Sequence, residues 1–164
     1  MPDHSWTIRP ATAADAEFLT DMLVEAVNWP PTRNHSRERI MSAPESARYI
    51  AAWPRHKELG VIAQSAGQPV GAAWLRFFTS DEPGYGFVSA DIPELSIGVA
   101  SSWRGRGVGR ALLRAVASEA RSAGIRRISL SVGRGNFAHG LYLAEGYQIA
   151  ETSDAASDTM IREL

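Results

Sequence analysis

The residues best placed to bind a charged ligand follow one short run of alternating sequence. Residues 94–99 read Glu-Leu-Ser-Ile-Gly-Val, and a glycine- and arginine-rich segment, 103–110, comes directly after them. Glycines allow tight bends and let a ligand approach main-chain N–H groups without a Cβ in the way. A helix start adds unpaired N–H groups and a partial positive charge. A strand, a glycine-rich bend and a helix start in this order therefore predict a phosphate cradle.

The kind of phosphate ligand is narrowed by what the segment lacks. A Walker loop needs a lysine after its last glycine, and residues 103–110 contain none. A dinucleotide fingerprint, G-x-G-x-x-G, fails because Arg110 and Leu112 occupy its third glycine position in the two registers available. The pattern that fits is R-x-x-G-x-G, over residues 104–109. Taken alone, such a loop is also common as a purely structural turn.

A second set of residues with chemical potential lies about thirty residues further on. Residues 136–147 follow the pattern Asn-x-Ala-x-x-Leu-Tyr-x-x-x-Gly-Tyr. Its Asn136 is suited to cap a helix, and its Tyr142 is either a core aromatic or a hydroxyl donor to a ligand. In this order and at this spacing, the two motifs resemble the GNAT superfamily, the acetyl-CoA-dependent N-acetyltransferases. The phrase Ile-Arg-Pro-Ala at residues 8–11 resembles the start of that family as well.

The resemblance implies a binding site for acetyl-CoA. In the family, the glycine-rich loop and helix start hold the CoA pyrophosphate, the preceding strand pairs with the pantetheine arm, and the asparagine contacts that arm. Carried over by position, the cofactor-binding residues are Ile97, Gly98, Val99, Arg104, Gly105, Arg106, Gly107, Val108, Gly109, Arg110, Asn136 and Tyr142. We expect the loop amides to matter more than any one guanidinium, because some of the arginines will be solvated helix surface.

The implied reaction is direct transfer of an acetyl group from a thioester to a primary amine. An alkylammonium titrates near ~10.4, so a base or a water relay must remove its proton before attack. Glu94 is the candidate base, because the family often places an acid near this position; the alternative is a solvated carboxylate at a strand end. Tyr142 is the candidate acid for the leaving thiolate, and a backbone N–H near Val99 would polarise the thioester oxygen.

In the family, the pocket for the acceptor amine is formed by the first helices and the loop before the main strand, and we expect the same here. Its candidate contacts are Trp29, Phe78 and Tyr85, with acidic residues nearby, and such a pocket would suit a cationic amine. Aromatic residues at these spacings also serve as core. The predicted acceptor is a small-molecule or peptide amine. The alternatives are a protein N-terminus or lysine side chain, and a non-catalytic acyl-CoA-binding module.

Bulk composition restricts the class of protein. The chain has 164 residues, a net charge of −1 and no cysteine. We expect one acetyltransferase domain over residues 1–164, and thiolate nucleophiles and Cys-based zinc sites are excluded. The isolated His35 and His56 predict no metal site. A polar N-terminus and the lack of a long apolar run predict a cytoplasmic protein with no membrane partner.

Positive charge is concentrated in one part of the chain. Residues 101–135 hold eight arginines and one acid, Glu119. This clustering indicates either compositional bias toward arginine or an anion-binding face. The overall net charge and the lack of a recognition motif predict no nucleic-acid partner. The family also suggests a homodimer.

Periodicity predicts the elements that must position these residues. Strands are expected at 7–10, 60–65, 69–78, 94–99, 127–132, 147–151 and 159–163, and helices at 13–27, 36–41, 44–53, 108–123 and 136–145. Residues 87–90 are either strand or loop, and 152–158 are expected as loop. The order predicts an α/β (α+β) fold with a single mixed, mostly antiparallel sheet of six to seven strands and about four flanking helices.

Overall fold

Seven strands and five helices make up the described part of the chain. The computed structural model describes residues 5–152 and 156–164. The strands are β1 (Thr7–Pro10), β2 (Leu59–Ser65), β3 (Gln68–Arg76), β4 (Glu94–Val99), β5 (Arg127–Gly133), β6 (Gln148–Thr152) and β7 (Ser157–Glu163). The helices are α1 (Ala16–Val27), α2 (Arg37–Ser42), α3 (Pro44–Ala47), α4 (Val108–Ser122) and α5 (Ala138–Ala144), with 3₁₀ turns at Ala13–Asp15 and Ser101–Trp103. The predicted fold class is confirmed.

The strands form one sheet in the order β1-β2-β3-β4-β5-β7-β6. All neighbours are antiparallel except β4 and β5, which run parallel. Pairing between β3 and β4 extends along the whole of β4, whereas pairing between β4 and β5 covers one position, Glu94 opposite Ser129. In the described part of the chain, the β5-side edge of β4 therefore has no ladder partner beyond Glu94. A gap opens between the two strands toward Val99.

Hydrophobic residues cover both faces of this sheet, and strand alternation assigns each residue of β4 to one face. Leu95, Ile97 and Val99 pack with α4 and α5 in one cluster. The other face is covered by α1 and residues 48–53, and Gly98 points toward the backbone of Met22 on α1. Glu94 lies on the α1 face, because it is an even number of residues from Gly98.

The helix predicted over 44–53 is wrong beyond Ala47, where α3 ends and tight turns follow. Side chains of β3 compete for the carbonyl groups of this segment. Trp74 Nε1 donates to the carbonyl of Tyr49 at 3.1 Å. Arg76 Nη1 donates to the carbonyl of Arg48, also at 3.1 Å. A helix would need those carbonyls for its own i→i+4 hydrogen bonds.

Other element boundaries differ by small amounts. Residues 87–90 belong to a long loop, 77–93, which we call the covering loop. The loop predicted for 152–158 is shorter, because β6 reaches Thr152 and β7 begins at Ser157. Residues 153–155 of that prediction lie outside the described residues.

Candidate functional site

The segment 104–109, here called the glycine bend, leads into α4 with an open surface. Gly107 caps α4 with φ +85°, and Gly105 has φ +74°. Both values lie in the left-handed region, where a side chain is strained. A Cβ at either glycine would meet nothing within 4 Å, so the bend is not packed under other side chains. No described side chain caps α4, so its first-turn N–H groups remain available to a ligand.

The glycine bend lies beside the unpaired end of β4. A Cβ at Gly109 would sit 3.6 Å from Leu141 on α5 and 3.9 Å from Val99 at the end of β4. The start of α4, the end of β4 and α5 therefore meet at Gly109. An elongated ligand could reach from the N–H groups of α4 into the gap beside Val99.

Two of the three candidate phosphate-binding arginines pair with carboxylates. Arg104 contacts Glu25 of α1 at 2.7 Å and donates to the carbonyl of Val99 at 3.3 Å. Arg110 lies 3.9 Å from Glu145. Arg104 and Arg110 are about half exposed, so these pairs are worth little in stability, but they direct both guanidinium groups toward protein partners.

The third arginine, Arg106, lies over the ring of Trp103, with 4.7 Å from its guanidinium carbon to the ring centroid. Trp103 is half-buried, supports Arg106 and packs against the α4-side core.

Glu94 is buried rather than solvated, with 3% of its surface exposed. The Tyr49 hydroxyl donates a hydrogen bond to Oε2, and the N–H of Gly86 donates to Oε1 at 2.9 Å. The Tyr49 hydroxyl also accepts a hydrogen bond from the N–H of Tyr85 at 2.8 Å. Burial raises the pKa of Glu94 to about 7, because desolvation of the charged form outweighs these two hydrogen bonds.

The covering loop places its backbone directly on this carboxylate. A Cβ at Gly84 would overlap Oε1 of Glu94 and lie 2.7 Å from the Tyr49 hydroxyl. A Cβ at Gly86 would lie 2.5 Å from the carbonyl carbon of Leu130 on β5. Only glycine fits at these two positions, and the loop closes over the start of β4 as a result.

Tyr142 lies on the opposite face of the sheet from Glu94. Its side chain is buried in the α4-side core, where its ring meets that of Tyr147 edge-on at 5.8 Å. Burial raises the pKa of Tyr142, so its hydroxyl stays neutral and able to donate a proton. The two candidate catalytic side chains therefore approach the sheet from either side.

Asn136 caps the start of α5. Its Oδ1 accepts a hydrogen bond from the N–H of Ala138 at 2.9 Å, and its own N–H donates to the carbonyl of Gly133 at 2.9 Å. The capping bond uses none of its Nδ2 donors, so capping and a ligand contact are compatible.

The three candidate acceptor residues differ in position. Tyr85 is 61% exposed, and its ring stacks on Tyr49 at 6.5 Å. Trp29 is 37% exposed and covers Gly133, where a Cβ would lie 2.5 Å from its indole ring. Phe78 is buried behind Tyr49, with ring centroids 5.1 Å apart. Trp29 and Tyr85 thus present aromatic surface to solvent, whereas Phe78 supports the site from the core.

The contact between Tyr49 and the candidate base Glu94 is one that the sequence did not reveal. Tyr49 lies 45 residues from Glu94 and belongs to no motif, so spacing carries no signal for their contact. Ser129, the register partner of Glu94, was hidden in the same way, because it reads as an ordinary polar position in an alternating strand.

The described residues were also compared with the requirements of a metal site and of a membrane-spanning helix. Within residues 5–152 and 156–164, no group of three or more His, Asp or Glu side chains could hold a metal ion. None of the described helices is long and apolar enough to cross a membrane.

Comparison with known proteins identifies the family. The sequence model of the acetyltransferase (GNAT) family matches residues 22–147, and no curated protein sequence matches the chain. PaiA N-acetyltransferase from Thermoplasma acidophilum, solved with coenzyme A, is 18% identical, covers 98% of this chain and 99% of its own, and has a TM-score of 0.67. Ribosomal-protein-alanine N-acetyltransferase from Brucella melitensis is 26% identical, with 96% and 99% covered and a TM-score of 0.69. The family match spans well over half of the sequence, and the chain belongs to the GNAT acetyltransferase family.

Proposed function

We propose that this protein is an N-acetyltransferase that moves an acetyl group from acetyl-CoA to a primary amine by direct attack in a ternary complex. One observation carries the proposal. The open glycine bend at the start of α4 lies beside the stretch of β4 that lacks a partner on β5. The pyrophosphate and the pantetheine arm that carries the thioester could therefore bind main-chain groups at two adjacent places in the fold.

The proposed cofactor contacts follow from which groups are free to bind. The N–H groups of Val108, Gly109 and Arg110 at the start of α4 would bind the pyrophosphate. The unpaired edge of β4, from Ile97 to Val99, would hydrogen-bond the pantetheine arm as a neighbouring strand does. A relative of the same fold was solved with coenzyme A, which supports an acyl-CoA ligand. Acetyl as the transferred group is our proposal.

Glu94 and Tyr142 have environments suited to the base and acid roles. With a pKa of about 7, Glu94 is a carboxylate above neutral pH and takes up the proton that the ammonium loses. Tyr142 stays protonated and would donate its proton to the departing CoA thiolate. The second proton that the attacking nitrogen loses as the amide forms would return to the Tyr142 oxygen. Acetyl transfer then breaks the C–S bond and forms the C–N bond with no covalent enzyme intermediate, consistent with the lack of cysteine.

The acceptor is proposed to be a small-molecule or peptide amine that enters past Trp29 and Tyr85. Both expose aromatic surface on the α1 face of the sheet, where Glu94 also lies. A cationic amine is attracted to such faces before it loses its proton. The cytoplasmic location and the homodimer stay predictions.

Thermal unfolding with and without acetyl-CoA tests the cofactor, and a thiol-release screen of amines tests the transfer. Acetyl-CoA at about 100 times its Kd should stabilise the fold by about 2.7 kcal/mol. The screen should include small amines and peptides with N-terminal alanine, because a relative is named for acetylating alanine. No stabilisation by any acyl-CoA would contradict the proposal.

Two variants distinguish an enzyme from a binding module. Glu94→Gln and Tyr142→Phe should each lower turnover while leaving stabilisation by acetyl-CoA intact. A protein that binds acetyl-CoA but transfers the group to no amine would be a non-catalytic acyl-CoA-binding module.

A further inference from the structure

Strand β5 carries a row of small and hydroxyl residues on the α1 face of the sheet. Its hydrophobic side chains at 128, 130 and 132 join the α4-side core. Alternation therefore puts Ser129, Ser131 and Gly133 on the opposite face, and the indole of Trp29 over Gly133 confirms that direction. This row lies directly beside the gap between β4 and β5.

Ser129 is the buried end of this row. It is 0% exposed, and its Oγ has no hydrogen-bond partner among the described residues. It is the register partner of Glu94 on the adjacent parallel strand, and both side chains lie on the α1 face. Neighbouring strands are about 4.8 Å apart, so one small polar group can bridge hydroxyl and carboxylate. A buried hydroxyl without a protein partner is rare in native proteins, and a site beside a carboxylate gives a bound water a second polar partner.

Glu94 retains the capacity to accept another hydrogen bond. An ionised carboxylate offers about four lone-pair sites. Two are used, by the Tyr49 hydroxyl on Oε2 and the Gly86 N–H on Oε1. The nearby cation on β3, Arg76, is paired with Glu58 at 2.9 Å and does not take the remaining positions.

The covering loop closes the direct route to Glu94 and packs on the neighbouring part of β5. Gly86 lies against the backbone of Leu130 and Ser131, so the loop seals Ser129 from above. Ser131 is half-buried, and Gly133 lies under the partly exposed Trp29. Ser129 is fully buried, whereas Ser131, about 6.6 Å further along β5, is partly exposed, so the surface that solvent reaches begins beside Ser131.

We propose that Ser129 is a positioning residue that holds a water between Glu94 and an acceptor amine bound in the gap between β4 and β5, beside Ser131. This inference rests on the proposed function. The ammonium gives a proton to the water, and the same water gives a proton to Glu94. The amine becomes neutral, Glu94 becomes a carboxylic acid, and the water and Ser129 are unchanged. Ser129 accepts a hydrogen bond from the water and orients it.

Ser129→Ala tests the relay in the full-length protein. Removing a hydroxyl that has no partner among the described residues should leave the fold intact. We expect kcat for an accepted amine to fall about tenfold to hundredfold, with the acceptor KM within about twofold, as for loss of a proton-transfer path. Ser65→Ala is the matched control, because Ser65 is a buried strand serine bonded to the carbonyl of Ser5 at 2.7 Å, on β2. Its kcat should equal that of the wild type.

A double variant separates a relay from a merely structural effect. If Ser129 acts through Glu94, Ser129→Ala combined with Glu94→Gln should be no slower than Glu94→Gln alone, because both changes break one path. Losses that multiply, or a Ser129→Ala protein with wild-type kcat, would overturn the proposal.

An infrared measurement tests the water-mediated link between Ser129 and Glu94 without requiring turnover. The carboxyl C=O band of protonated Glu94, identified by its loss in Glu94→Gln, should shift in Ser129→Ala at pH 5. If the wild type transfers acetyl to no amine, the proposed function fails, and the band still tests the link. An unshifted band overturns it, and a shifted band supports it.

Discussion

The Tyr49 hydroxyl donates a hydrogen bond to Glu94 and accepts one from the N–H of Tyr85. One buried phenol thus joins the turn after α3, the start of β4 and the covering loop. The bond to Glu94 favours the charged carboxylate, while burial opposes it. The pKa of Glu94 should therefore respond to changes at Tyr49.

Tyr49→Phe should raise the pKa of Glu94 further above about 7, because the carboxylate loses a donor. The acid limb of the kcat profile should move to higher pH. The free energy of unfolding should also fall by about 1–3 kcal/mol, since the N–H of Tyr85 loses its acceptor. A pH–rate profile and urea denaturation measure the two effects.

Tyr85→Phe is the control for that prediction. It removes an exposed hydroxyl but keeps the stacked ring and the N–H that bonds Tyr49. Neither the pH profile nor the stability should change. Equal shifts in both variants would mean that the Tyr49 hydrogen bond does not set the pKa of Glu94.

The pH dependence of stability gives a second prediction. The folded-state pKa of Glu94 is raised from 4.5 to about 7, so between these values the folded protein holds a proton that the unfolded chain has lost. The resulting stability is complete below pH 4.5 and is lost as pH rises through 7. Relative to the Glu94→Gln variant, the free energy of unfolding of the wild type should fall by about 3 kcal/mol between acidic pH and pH 8. Urea denaturation of both proteins at each pH measures this. A difference in unfolding free energy between them that does not change with pH would contradict the prediction.

Local periodicity explains why much of the fold was predictable. Alternation predicted β4 and β5, and helical periodicity predicted α4, whose buried residues Val108, Leu112 and Val116 recur every four positions. In each case the signal lies within one element, because that element buries one of its own faces.

Contacts between distant segments explain what the sequence could not predict. The turn at Tyr49 replaces a helix because Trp74 and Arg76, from a later strand, bond its carbonyls. The direction of Arg104 depends on Glu25, 79 residues away. The burial of Glu94 depends on where the covering loop lies, which no local pattern specifies.

Gly107→Ala should weaken acetyl-CoA binding through the glycine bend. Gly124→Ala is its matched control: both glycines have left-handed φ, +85° and +83°, both have open space at Cβ, and they lie at opposite ends of α4. Each change should cost roughly 1 kcal/mol of stability through backbone strain. Only Gly107→Ala should lower the affinity for acetyl-CoA, by about tenfold or more if the helix-start amides move. Titration calorimetry measures this, and equal affinities would exclude the bend as the phosphate site.

Tyr142→Phe and Tyr147→Phe form a pair that isolates the role of one hydroxyl. The two rings touch in the same buried cluster, so each change removes one oxygen from a similar environment. Tyr142→Phe should lower kcat about tenfold or more, because the thiolate loses its proton donor, while acetyl-CoA affinity stays within about twofold. The Tyr147 hydroxyl is buried with no partner among the described residues, so its removal should leave kcat unchanged and stability equal or slightly higher. Single-turnover thiol release and thermal unfolding distinguish the two. A fall in kcat of the same size in both variants would indicate that the cluster acts through packing, and Tyr142 would then not be the acid.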